Sequence, residues 1–273
     1  MTVVHAINRV EGKAPGASKN FLSVRRLTVR FGGVTALDGV SFDVEPGRIT
    51  GLIGPNGAGK TTLFNCLSRL YVPTAGDIVF QGESILDKPA HRVASLGIGR
   101  TFQNLASFLE LSVIENIRIG AHSIESSDIF TDMFALPFVL RRERRIDSAC
   151  WALVEALDLS DVVHEQVKNL PFPTRKRVEL ARALAMNPKL LLLDEPAGGL
   201  NHEEVVEFGR LICRLRDEWH LAVLIVEHHM GLVMSICERL VVFNFGRLIA
   251  DGEPAKIRTH PEVLAAYLGK AAT

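Results

Sequence analysis

Neither sign of charge predominates in this chain. Lys plus Arg and Asp plus Glu each number 31 in 273 residues, so there is no net field to draw it to nucleic acid, and no nucleic-acid partner is expected. Long hydrophobic runs are also missing. Stretches such as Leu221–Val226 are far too short to span a bilayer. Met1–Asn20 has no secretory hydrophobic region, and its Gly, Ala, Ser, Pro and Lys content reads as a flexible leader. The four cysteines, Cys66, Cys150, Cys213 and Cys237, show no C-x-x-C spacing. They read as buried thiols in a reducing compartment, not as a metal or disulfide framework. These absences leave a cytoplasmic chain that reaches a membrane only through a partner. Its 47% hydrophobic and 23% charged content is that of a globular protein with ample length for a buried core.

The most informative stretch is Gly54–Thr62, GPNGAGKTT. It fits G-x-x-x-x-G-K-[ST], with Gly54, Gly59, Lys60 and Thr61 at the fixed places and Pro55, Asn56, Gly57 and Ala58 between them. A short strand candidate, Arg48–Ile53, leads into it, and a helical pattern follows from Thr62. Glycines let the backbone curl so that successive N–H groups point at an anion, and the helix N-terminus adds partial positive charge. Lys60 is placed to reach the β- and γ-phosphates and the Thr61 hydroxyl to ligate Mg²⁺. This reads as a nucleotide phosphate site. No internal repeat supplies a second one.

Upstream, Phe21–Arg30 and Val40–Val44 alternate like strands. Between them Phe31 is either a ring that stacks on adenine or an ordinary hairpin core residue. Thr74–Gly82 reads as turn, strand, turn, and a helix-rich region runs from about Asn104 to Asn169. Its basic run, Arg141–Arg145, reads as a solvated helix face, with anionic lipid or a partner as the other reading. Glu179–Met186 is helical by propensity and stopped by Asn187–Pro188. Lys189–Pro196, KLLLLDEP, suits a central parallel strand buried on both faces. Its two carboxylates fall at the C-terminal end, where such sheets bind ligands. Downstream of a phosphate loop, Asp194 reads as a Mg²⁺ ligand and Glu195 as the residue that orients or deprotonates water. Leu221–Val226 is a second buried strand, ending in Glu227, His228 and His229. Adjacent histidines on a strand face opposite ways, which argues against a two-His metal site. Leu240–Ala250 carries a hairpin signature. Strands alternating with helices around a phosphate loop predict an α/β fold with a largely parallel sheet.

These motifs, in this order, resemble the ATP-binding subunit of ABC transporters from Phe21 onward. The stretches GIGRTFQN at Gly97–Asn104, VIENIRIGAH at Val113–His122, IVEHHM at Ile225–Met230, FGRLIADGEP at Phe245–Pro254 and AAYLG at Ala265–Gly269 are similar to the Liv-type branched-chain amino-acid subfamily. The resemblance implies a P-loop NTPase core, an N-terminal antiparallel β subdomain and an inserted helical subdomain at about 104–180, in one domain spanning 21–273. It implies Phe31 as the adenine-stacking aromatic and Gln103 as the glutamine that senses Mg²⁺ and the attacking water. His228 becomes the histidine that hydrogen-bonds the γ-phosphate, and Gly199–Asn201 the loop that contacts an opposing subunit; His229 receives no role. The implied cofactors are ATP and Mg²⁺. The implied partners are a second ATPase subunit, two transmembrane permease subunits and, indirectly, an extracytoplasmic solute-binding protein, with this chain peripheral on the inner face of the cell membrane. The implied activity is ATP hydrolysis driving uptake of branched-chain or related amino acids.

One departure matters. The family's signature, of the LSGGQ or LSYGQ kind, is replaced by Leu170-Pro171-Phe172-Pro173-Thr174. Pro171 removes a hydroxyl and Pro173 a backbone N–H. In the family this stretch closes over ATP bound to the partner subunit. The expectation is therefore an asymmetric heterodimer, with Arg175, Lys176 and Arg177 partly compensating. A catalytically impaired or regulatory subunit, or an ATPase of a different transport system, stays open at this stage.

Overall fold

The computed structural model describes residues 21–101, 108–122 and 136–268. Leu22–Phe31 (β1) and Val34–Val44 (β2) form an antiparallel hairpin, extended by Ala75–Phe80 (β4) and Glu83–Ser84 (β5) into a sheet of order β2-β1-β4-β5. β2 begins six residues before the alternating stretch at Val40. The tight turn at Gly32 and Gly33 lets pairing run to Phe31 opposite Val34.

The second sheet has order β10-β9-β3-β8-β7-β6, built from Ile49–Ile53 (β3), Ile98–Arg100 (β6), Leu190–Asp194 (β7), Ala222–Val226 (β8), Arg239–Asn244 (β9) and Arg247–Gly252 (β10). Every pairing in it is parallel except the terminal β9–β10 hairpin. That hairpin turns on Phe245 (φ 44°) and Gly246 (φ 75°). Positive φ at both central residues matches the twist of the flanking strands.

The apolar runs are apolar because both faces of this sheet are covered. Leu191 and Leu193 of β7 and Val223 and Ile225 of β8 face one core, while Leu190, Leu192, Ala222, Leu224 and Val226 face the other. The first core is closed by the helices Val113–His122 (α2), Leu136–Ala156 (α3), Phe172–Leu184 (α4), His202–Trp219 (α5) and Met230–Ile236 (α6), with α3 contributing Ile146, Cys150, Leu153 and Val154. The second is closed by the antiparallel sheet and by Lys60–Leu67 (α1). The chain ends in Pro254–Ile257 (α7) and Pro261–Leu268 (α8). Among the described residues no helix is long and apolar enough to cross a membrane.

α5 begins on a capping box. The Asn201 side chain accepts from Glu204 N–H at 3.0 Å, and Glu204 accepts from Asn201 N–H at 2.8 Å. α4 begins earlier than propensity places it, at Phe172, so Pro173 lies in its first turn. Proline is tolerated there because the missing N–H has no intrahelical partner.

Candidate functional site

β3 is flanked by β8 and β9 at the centre of the parallel sheet, so the loop that leaves its C-terminal end is framed from both sides. Gly59 closes that loop as the left-handed N-cap of α1, at φ 101°. A Cβ there would lie 2.7 Å from Ala36 O, so the residue type is dictated by conformation and by close approach of β2. Two further bonds fasten the frame: Gly246 N–H donates to Ala58 O at 3.1 Å, and Asp38 N–H donates to Gly246 O at 2.8 Å.

Lys60 opens α1 but turns its ammonium back across the loop. It donates to Gly54 O at 2.6 Å and Pro55 O at 2.9 Å, leaving one of its three donors for a ligand. Burial lowers its pKa below the ordinary lysine value, and the carboxylates of Glu195 and Asp194 act against that shift. Asp194 ends β7 with a side chain 2% exposed, and Glu195 follows in a left-handed conformation (φ 49°). Backbone strain of this kind in a non-glycine residue is characteristic of functional loops. It turns the Glu195 carboxylate toward His228, whose Nε2 lies 2.9 Å from Oε1. An ionised carboxylate accepts only, so Nε2 carries the proton in this contact.

A cleft of about 470 Å³ collects these groups. Asn56 to Thr62, Thr35, Ala36, Glu195, His228 and Phe245 line it. Of the sequence-derived residues, Gly54 and Pro55 are outside its lining but bonded to Lys60, and Asp194, also outside it, acts electrostatically on Lys60. Phe31 does not line the cleft. Its ring, 47% exposed, packs edge-on against Tyr71 with centroids 5.2 Å apart, so it is a surface ring and not hairpin core. Gln103 lies outside the described residues. An adjoining cleft of about 540 Å³ is larger, but among the described residues Glu262 is the one charged residue that lines it. It offers no cation for a phosphate, so the chemistry belongs to the smaller one.

Sequence reasoning missed three residues here. Arg100, at the end of β6, donates to Asp194 Oδ2 at 2.8 Å, to Asn65 Oδ1 at 2.9 Å and to Ser68 Oγ at 3.0 Å. It thereby joins the end of β7 to the region around α1. Glu227, 3% exposed, accepts Ala197 N–H at 2.7 Å on one oxygen and the N–H groups of His228 and His229 at 2.8 and 3.1 Å on the other. It ties the loop after Glu195 to the histidine pair. His229 caps α6, its Nδ1 accepting Leu232 N–H at 3.2 Å. The polar residues next to His228 in the sequence hinted at the last two, whereas Arg100 had no local signal.

Among the described residues no cluster of three or more His, Cys, Asp or Glu could hold a metal. A Mg²⁺ that arrives with nucleotide phosphates needs only one or two protein ligands. Asp194 Oδ1 fits that requirement, being buried with no hydrogen-bond partner among the described residues.

Residues 37–198 match the family described as ABC transporter, and residues 247–273 the family described as branched-chain amino acid ATP-binding cassette transporter. The high-affinity branched-chain amino acid transport ATP-binding protein BraF of Pseudomonas aeruginosa is 41% identical over 254 residues, covering 93% of this chain and 100% of that protein. LivG of Escherichia coli (strain K12), of the same description, is 39% identical over 254 residues with the same coverage. The ADP conformation of MJ1267, an ATP-binding cassette of an ABC transporter, is 29% identical with a TM-score of 0.80 over 93% of this chain and 100% of that one.

Proposed function

Because the chain belongs to the ABC transporter family of ATP-binding cassette ATPases, we propose that it energises uptake of branched-chain or related amino acids through separate permease subunits. The observation that carries the reading is the convergence of Lys60, Glu195 and His228 on one cleft, with Asp194 near enough to act on Lys60. Its division into a nucleotide-binding core and a helical subdomain at about 104–180 belongs to the same proposal, as does its position on the inner face of the membrane through the permease.

In this reading the loop from Gly54 to Thr62 cradles the phosphates with its N–H groups, and Lys60 neutralises the β- and γ-phosphates. Phe31 is the surface ring on which adenine stacks. Thr61, Asp194 and Gln103 would hold Mg²⁺, which when bound supplies charge for the β- and γ-oxygens. Glu195 orients the attacking water and receives its proton, and with nucleotide bound the Nε2–H of His228 turns from Glu195 to the γ-phosphate. Without nucleotide, the 2.9 Å contact keeps the two side chains together at the cleft. Most of the acceleration then comes from positioning and charge stabilisation.

The second ATPase subunit is a different chain in this reading. Pro173 removes one of the first-turn donors of α4, the turn that closes over the opposing subunit's ATP. A charge-assisted hydrogen bond is worth roughly 1.5–3 kcal/mol, so where no side chain replaces it the opposing site is weakened by a factor of roughly ten to a hundred. The test is reconstitution with the co-encoded permease, binding protein and second ATPase in vesicles. ATP-driven leucine uptake that disappears with Lys60→Met supports the function. Uptake that persists with that variant removes this chain as the hydrolysing subunit, and equal hydrolysis at both sites removes the asymmetry.

A further inference from the structure

The first turn of α4 is a donor array with one gap. Its first intrahelical bond is Arg175 N–H to Pro171 O at 3.0 Å, so the N–H groups of Phe172 and Thr174 point out of the helix end, and Pro173 has none. Three cations follow in sequence, and two are engaged elsewhere. Arg175 donates to Leu170 O at 2.8 Å and Lys168 O at 2.5 Å. Arg177 meets Asp158 at 3.3 Å and Glu207 at 3.7 Å.

Lys176 is different. It is 5% exposed, and it makes no hydrogen bond or ion pair with the described residues. Glu179, the buried carboxylate three residues on, acts electrostatically on Arg182. Helical side chains lean toward the N-terminus, and the Lys176 ammonium lies 5.6 Å from the centroid of the Phe172 ring, one turn back. That ring is held on another side by the loop after Glu195: a Cβ on Gly199 would come within 2.8 Å of Phe172 Cε1. The ammonium is thus carried to the turn that bears the two free N–H groups. A leucine or methionine would fill the space of the buried stem equally well, so the ammonium is the part of the side chain that packing does not explain.

We propose that Lys176 binds the triphosphate of the nucleotide held by the opposing ATPase subunit, supplying in trans the donor that Pro173 lacks. The proposal rests on the reading that α4 closes over that nucleotide. A lysine ammonium is a point charge with three donors, suited to phosphate without the fixed fork of an arginine.

The test is light scattering of the Glu195→Gln chain in Mg-ATP, alone and with the co-encoded second ATPase, with and without Lys176→Met or Lys176→Arg. Binding of a fluorescent ATP analogue by the isolated chain and its thermal unfolding are followed in parallel. Lys176→Met is expected to raise the ATP concentration for half-maximal pairing about 10- to 100-fold. Analogue binding by the isolated chain stays within about two-fold, because that site is Lys60's own, and Lys176→Arg pairs within about three-fold of the parent. Pairing of folded Lys176→Met at the parent's ATP concentration overturns the proposal, as does equal weakening by Met and Arg. If the Glu195→Gln parent binds the analogue but never pairs in ATP, the reading of α4 itself fails and takes the proposal with it.

Discussion

The guanidinium of Arg100 and the carboxylate of Asp194 meet at 2.8 Å, with side chains 9% and 2% exposed. Arg100 comes from the edge strand of the parallel sheet and reaches both Asn65 and Ser68. One guanidinium therefore fixes Oδ2 of Asp194 and leaves Oδ1 buried without a hydrogen-bond partner among the described residues.

Removing Arg100 leaves a buried carboxylate without its counter-charge, and breaking such a pair costs about 3–5 kcal/mol. Arg100→Met is expected to lose that much in urea unfolding. Arg100→Lys, which keeps the charge without the fork, should lose less. A loss below about 1 kcal/mol for Arg100→Met would show that the pair is not a structural tie.

Glu195 and His228 are in contact, so their effects on hydrolysis are expected to overlap. Glu195→Gln should reduce kcat by about 10²–10⁴, and His228→Ala by about 10²–10³. The double variant should fall close to the worse single variant, because residues acting as a unit are non-additive. Steady-state phosphate release measures all three, and full additivity would separate the two roles.

Restoring the missing donor tests the asymmetry directly. In the Lys176→Met background, Pro173→Gly adds an N–H at the second position of α4 and should raise hydrolysis at the opposing site by about ten-fold, whereas beside Lys176 the gain is smaller. A small loss of stability is expected from the freer backbone. Unchanged hydrolysis would mean that Pro173 is no handicap.

The cysteines give a pH-dependent prediction. Burial pushes the thiols of Cys66 and Cys150 up from 9.0 to about 11. For each thiol the folded pKa lies above the unfolded one. Its contribution to stability is therefore fully present below pH 9 and is lost as pH rises toward 11. At pH 8 roughly a thousandth of each is thiolate, so labelling by a disulfide reagent should be slow in the folded protein and fast after urea unfolding. Fast labelling of both in the folded state would contradict the burial.

The residues read from chemistry alone share a property: each belongs to a local pattern that chemistry forces to be contiguous, whereas Phe31, Gln103 and His228 received their roles only from the family resemblance. The phosphate loop must join a strand to a helix, and Asp194–Glu195 must end a doubly buried strand. Arg100 belongs to no such pattern. It reaches Asp194 because β6 pairs with β7 in register, Arg100 beside Leu192, which depends on residues about ninety positions apart in the chain. Glu227 is similar, since its link to Ala197 joins two loops brought together by the β7–β8 pairing. The prolines of Leu170–Thr174 were visible, but helical propensity begins only at Glu179. The start of α4 at Phe172 reflects packing of its later residues against the sheet, such as Val178, Leu180 and Ala181. That shift in boundary places Lys176 one turn after Phe172 on the same helix face.

The bond from Gly246 N–H to Ala58 O, with that from Asp38 N–H to Gly246 O, has a consequence for biosynthesis. The phosphate loop emerges from the ribosome early, yet part of its frame is made by a turn near the end of the chain. Domains fold largely as they emerge, and here the nucleotide site waits for the last hairpin. Nascent chains stalled short of residue 244 are expected to retain little ATP on affinity resin, whereas chains stalled beyond β10 with the tunnel cleared retain it.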